Sequence, residues 1–184
     1  MRKNFGTKPW VYPQPVLIIG TYDADGKPDA MNAAWGGQYS EKQVMLCLGK
    51  HKTTDNIKLK KAFTVSFATA SQVVASDYVG IVSAENTPDK MEKSGFTTVK
   101  SEFVDAPVIN ELPLTLECKL VKFNEDGNVI GEIVNVSADE SILDGNGNVD
   151  SAKLDAIIFD PANAAYIRLG EKVGNAFQDG AKLK

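Results

Sequence analysis

One histidine and two cysteines among 184 residues leave little material for metal chemistry. Cys47 and Cys118 stand far apart, neither belongs to a CxxC pair, and His51 alone makes no zinc-like cluster. Both cysteines read as reduced, buried core residues, and no secreted disulfide scaffold is suggested. GxGxxG after a strand, Walker A and GxSxG are all missing, so neither a Rossmann domain, a P-loop nor an elbow-type hydrolase is indicated. No run is long or apolar enough to span a bilayer. The start, Met1-Arg2-Lys3-Asn4-Phe5-Gly6, lacks a signal peptide's apolar core, so a cytoplasmic protein without a membrane partner is expected. A net charge of −4 leaves no domain-wide basic face, which argues against nucleic acid as the main partner. Repeats, linkers and low-complexity stretches are also missing. The chain is read as one domain, 1–184, large enough to bury a core unaided.

What is present is mostly strand pattern. Pro15–Tyr22 is an apolar, β-rich run, Asp23-Ala24-Asp25-Gly26-Lys27 has hairpin chemistry, and Pro28–Trp35 reads as the return strand, ended by Gly36-Gly37. Gln43–Leu48 reads as a further strand, apolar on both faces within Val44–Leu48. Ala62–Phe67 alternates with Phe63, Val65 and Phe67 inward. Ser71–Ser83 fits an amphipathic helix with Val74, Tyr78 and Ile81 on one stripe. Thr87 and Pro88 open another helix that Gly95 closes. Leu114–Phe123 and Val129–Ser137 flank a second hairpin turn at 124–128, a short helix is expected near Ser151–Ala156, and a last strand over Ala164–Leu169. Two hairpins and several strands interrupted by short helices point to a closed, mainly β antiparallel barrel with helical insertions.

Asp144-Gly145-Asn146-Gly147-Asn148 looks like a calcium loop at alternate positions. It carries Val149 where the EF-hand needs glycine and Asp155 where it needs glutamate, so it reads as a turn with Asp150 capping the next helix. Lys50-His51-Lys52-Thr53-Thr54-Asp55-Asn56 is more telling. It places basic side chains and hydroxyls where a strand gives way to a helix over Asp55–Lys61, with Thr53 or Thr54 as N-cap. A helix N-terminus offers unpaired N–H groups and partial positive charge, so this turn suits an anion such as phosphate. Solvated lysines on an ordinary capped helix fit the same residues.

Pro15–Pro28, Met31-Asn32-Ala33-Ala34-Trp35-Gly36-Gly37 and Lys50-His51-Lys52-Thr53 together resemble the flavin reductase-like, flavoredoxin-type family of FMN-binding split barrels. The resemblance continues through Asp77-Tyr78-Val79-Gly80, Asp89-Lys90, Ala106-Pro107, Leu116-Glu117-Cys118-Lys119 and Tyr166-Ile167-Arg168-Leu169-Gly170-Glu171, so it covers nearly the whole chain in order. It implies a split β-barrel of antiparallel Greek-key type that holds FMN at a homodimer interface. The phosphate would lie on Lys50, His51, Lys52 and Thr53, with Asn56 beside them. Such proteins often carry arginine where this chain has lysines. The ring would lie along Asn32, Ala33, Ala34 and Trp35, where small side chains let backbone groups reach its pyrimidine edge. Trp35 either covers the ring or anchors the core or dimer interface, and Asn32 either touches the ring or ends a strand. Tyr166 and Arg168 either border the site or serve packing and a surface ion pair. The resemblance implies NADH or NADPH as hydride donor to flavin N5, with free flavin, oxygen or a redox partner protein as acceptor. Its alternative is an electron-transfer protein that holds FMN, has no nicotinamide site and is reduced by a partner protein.

Overall fold

The computed structural model describes residues 1–184. Strands β1 (Gln14–Pro15), β2 (Leu17–Tyr22), β3 (Pro28–Ala33), β4 (Gly36–Ser40) and β5 (Gln43–Leu46) lead to helix α1 (Lys52–Lys60). After β6 (Ala62–Phe67) come α2 (Val73–Ile81), α3 (Lys90–Ser94), β7 (Thr98–Lys100), β8 (Pro107–Ile109), β9 (Leu114–Phe123) and β10 (Val129–Ala138). α4 (Ser151–Leu154), β11 (Ile157–Asp160) and β12 (Ala165–Arg168) follow.

Seven strands form one curled antiparallel sheet in the order β3-β2-β6-β9-β10-β5-β4. Its two edge strands, β3 and β4, follow each other in the chain through Ala34 and Trp35, yet do not pair with each other. The barrel expected from strand pattern as closed is therefore split along this seam. The cause is local. The Trp35 carbonyl accepts from the Cys47 N–H at 2.8 Å, and Gly36 opposes Leu46, so the chain turns out of β3 directly into pairing with β5. A Cβ on Gly36 would stand 2.7 Å from a Leu46 methyl, so only glycine makes this corner. Gly36-Gly37 thus begins a strand where the sequence suggested an end.

The concave side encloses Leu17, Ile19, Leu46, Phe63, Val65, Cys118 and Val129, with Ile57 of α1 packed into the same cluster. Burial pushes the Cys118 thiol up to about 12, helped by the Glu117 charge, which makes it inert. A second core lies outside the wall, where Ile18, Ala30, Val79, Phe96, Ile109 and Ile157 join the sheet to α2 and β11. β2 feeds both cores by alternation, Leu17 and Ile19 to one and Ile18 to the other.

Several expectations need correction. Cys47 is exposed, because β5 stops at Leu46. Of the expected stripe Val74, Tyr78 and Ile81, Tyr78 is partly buried against the second core, but Val74 and Ile81 are 80% and 73% exposed, and Ser76 and Val79 are the buried residues of α2. The reason is close packing: a Cβ on Gly80 would lie 2.9 Å from the Asn32 Cβ, so the small residues of α2 meet β3, and of the large ones Tyr78 and Val73 pack on the outer core while Val74 and Ile81 face away. α1 starts at Lys52 with His51 as N-cap, not Thr53 or Thr54, and α3 starts at Lys90 after a turn in which the Thr87 carbonyl accepts from Lys90 N–H. Asp144 Oδ1 accepts from the N–H groups of Asn146 and Asn148, and Asp150 caps α4, as the turn reading required.

Candidate functional site

β3 brings the site together. Its free edge flanks the seam, so half of its backbone N–H and C=O groups have no strand partner there. At its C-terminal end a cavity of about 430 Å³ is lined by Met31, Asn32, Ala33, Ala34 and Trp35, with Cys47, Leu48, Gly49, His51 and Phe159 opposite. A second cavity of about 180 Å³ shares Met31 and His51 with the first and adds Asp29, Lys52, Thr53 and Lys90, against the end of α2 at 79–84. The two form one groove, mainly apolar at the Trp35 end and basic at the α1 N-terminus. Residues 32–35 and 51–53, read separately in the sequence, therefore line the same surface.

Asp29 organises the basic end. It is 3% exposed, lies 3.3 Å from Lys90 Nζ, and accepts from Thr53 Oγ1 at 3.0 Å. Two elements are thereby tied to β3: the first turn of α1 and the start of α3. Thr54 Oγ1 accepts from the His51 N–H at 2.7 Å, which fixes the entry to α1 and leaves the N–H groups of Lys52 and Thr53 without intrahelical partners. Asp29 and Lys90 neutralise each other, so Lys52 and the helix end supply the positive potential, with the His51 ring as a polar neighbour. Lys50 is exposed beside this end but lines neither cavity. Asn56 departs from its expected role: it is 2% exposed and donates to Thr21 Oγ1 at 3.0 Å, a buried link between α1 and β2.

Behind the ring-sized end, Asn32 Nδ2 donates to the Ser76 carbonyl at 3.0 Å and lies 3.5 Å from the Tyr166 hydroxyl. Tyr166 in turn donates to Asp77 Oδ1 at 2.7 Å. Burial, then the Asp77 hydrogen bond and charge, push the Tyr166 phenol up to about 12, so it stays protonated across the physiological range. Arg168 instead forms an exposed bidentate pair with Asp155, away from both cavities. Trp35 is 54% exposed, so it is no core anchor and its ring stands free at the seam.

Sequence reasoning missed Asp29, Lys90, Cys47 and Phe159. Asp29 and Met31 were accessible as the period-two companions of Ala33 on one face of β3. Nothing local marks Phe159, and Lys90 entered only within the Asp89-Lys90 stretch of the resemblance; both arrive from distant elements.

The flavin reductase-like domain family matches residues 10–153. The flavoredoxin of Desulfovibrio vulgaris (Miyazaki F) is 38% identical in sequence and superposes with a TM-score of 0.94, covering 98% of this chain and 100% of its own. A flavoredoxin from Methanosarcina acetivorans is 27% identical with a TM-score of 0.87, all of both chains being covered. The FMN-binding domain of a flavin reductase-like enzyme from Shewanella baltica OS155, 20% identical over 88% of this chain and 89% of its own, shares the fold at a TM-score of 0.75. No helix in this chain is long and apolar enough to cross a membrane.

Proposed function

Because this chain belongs to the flavin reductase-like family, we propose that it is an FMN-binding oxidoreductase that accepts hydride from NADH or NADPH. The observation that carries this reading is the groove formed by the two adjoining cavities, with a mainly apolar end at residues 32–35 and an anion-favouring end at 51–53. The residues fit the cofactor. Edge-strand N–H and C=O groups suit the polar rim of a flavin ring, and Ala33 and Ala34 keep them accessible. The α1 N-terminus with Lys52, His51 and Thr53 suits its phosphate, Lys50 adding charge from nearby. When bound, FMN supplies hydride exchange at N5. The chain's own part is to hold the ring by β3, to aim N–H dipoles at negative charge on it, and to keep one face open for a stacked nicotinamide. No protein acid or base is required for hydride transfer, which fits the lack of a catalytic dyad. Free flavin, oxygen or a redox partner protein would receive the electrons.

Likeness to two flavoredoxins favours a second reading, an electron carrier reduced by a partner protein without a nicotinamide site. An absorption spectrum with added FMN, followed anaerobically by NADH and then NADPH, separates the two. Rapid bleaching supports the reductase, and bleaching only by dithionite or a protein donor supports the carrier. Failure to retain FMN overturns both. Replacing Lys50 and Lys52 together by alanine is expected to weaken FMN at least tenfold and riboflavin little, about 1 kcal/mol or more per lost charged contact. Equal losses for the two ligands would remove the phosphate assignment.

The protein is further proposed to be a homodimer. The support is two exposed apolar side chains that line the groove, Trp35 and Ile81. Sedimentation equilibrium should return twice the 19.9 kDa chain mass, and a single-chain mass at micromolar concentration would contradict it.

A further inference from the structure

Asn32 has a side-chain amide whose two ends are not interchangeable in this fold. The Ser76 carbonyl, 3.0 Å away, can only accept a hydrogen bond, so it requires the NH₂ end. The Tyr166 hydroxyl donates its hydrogen bond to Asp77 Oδ1 at 2.7 Å, so its oxygen too presents a lone pair to Asn32. At 3.5 Å that second contact is long and chiefly orienting. Both constraints name the same rotamer, which settles the usual O/N ambiguity of an asparagine on physical grounds. The consequence lies at the other end. Asn32 Oδ1 has no partner in the protein. It is also not sealed, since Ser76 Oγ is the one buried side-chain polar atom lacking a hydrogen bond, and Asn32 lines the apolar end of the groove.

We infer that Tyr166 and Asp77 are positioning residues that lock Asn32 so that its Oδ1 accepts a hydrogen bond from a ring N–H of the groove's ligand. This rests on the flavin reading given above and deepens it by assigning a ring contact to a side chain. The selected chemistry is a heteroaromatic ring with an N–H on the edge facing β3. A ring with only acceptors on that edge is disfavoured, because its lone pairs would oppose those of Oδ1. Tyr166 touches no ligand in this account and acts through Asn32 alone.

A double-mutant cycle tests this. Flavin affinity is measured for the native protein and for the N32A, Y166F and N32A/Y166F variants, with riboflavin as well as FMN. Y166F should weaken both ligands by about three- to tenfold, the worth of one hydrogen bond, and shift the visible flavin band. In the N32A background the same change should do nothing further. Equal, additive losses in the two backgrounds would overturn the inference, as would an unchanged affinity and spectrum in Y166F. The lock itself is read without flavin, from the Asn32 side-chain NH₂ signals in a ¹⁵N spectrum. These should be slowly exchanging in the native protein and averaged in Y166F. If native protein retains no flavin, the functional reading fails. If the NH₂ signals also exchange freely, the positioning role fails with it.

Discussion

Lys90→Met should lower the stability of the fold by about 3–5 kcal/mol, read as a shift in the urea midpoint followed by circular dichroism. Lys90 is 3% exposed and its ammonium lies 3.3 Å from Asp29, whose side chain is buried to the same degree. Removing the cation leaves an almost fully buried carboxylate without its counter-charge, and that penalty exceeds anything the pair contributes while intact. Removing both charges is expected to be far milder. D29L/K90M should recover most of the loss, short by about 1 kcal/mol because Thr53 Oγ1 no longer has its acceptor. An unshifted midpoint in K90M would mean that Asp29 is hydrated in the folded state. The single variant should also weaken FMN, since it leaves an uncompensated Asp29 carboxylate at the anion-favouring end of the groove. The double variant removes that charge and, with it, the Asp29 tie between β3 and the first turn of α1.

Phe63→Ala should cost a similar amount, about 3–5 kcal/mol, and lower the melting temperature by roughly 6–20 °C. Phe63 is fully buried in the barrel interior, and its ring reaches from β6 across β9 to Gly131 of β10. A Cβ on Gly131 would stand 2.3 Å from the ring's Cζ, so the glycine is the space the phenyl occupies. Gly131→Ala should therefore overpack the same spot, at about 1–3 kcal/mol. The two changes ought not to add. F63L/G131A should be more stable than the sum of its single variants by differential scanning calorimetry. Strict additivity would show that ring and glycine do not share a volume.

Much of the architecture was legible because hairpins write themselves locally. Asp23–Lys27 and Asn124–Asn128 each carry the glycine and side-chain acceptors their turns need, and the strands flanking them pair as read. β11 was missed because Ile157–Asp160 is a short run whose strand character comes from pairing with β1 and β12. Val74 and Ile81 misled for another reason: periodicity reveals an apolar stripe but not what covers it, and here the intimate contact belongs to Ser76, Val79 and Gly80. At the site, Lys52 and His51 were readable from helix-start chemistry. Asn56 was not, since its role is decided by Thr21, a partner on a distant strand.

The seam between β3 and β4 bears on how such a protein can change over time. Ala34 and Trp35, the residues that cross it, belong to none of the buried clusters that hold the sheet together. Stability is thus invested in the wall, and under the proposed function ligand selectivity would lie in a corner that the buried clusters do not include. Substitutions at 34 and 35 are then expected to carry little risk to folding, so descendants of this chain would be free to explore other ligands before any loss of structure removes them.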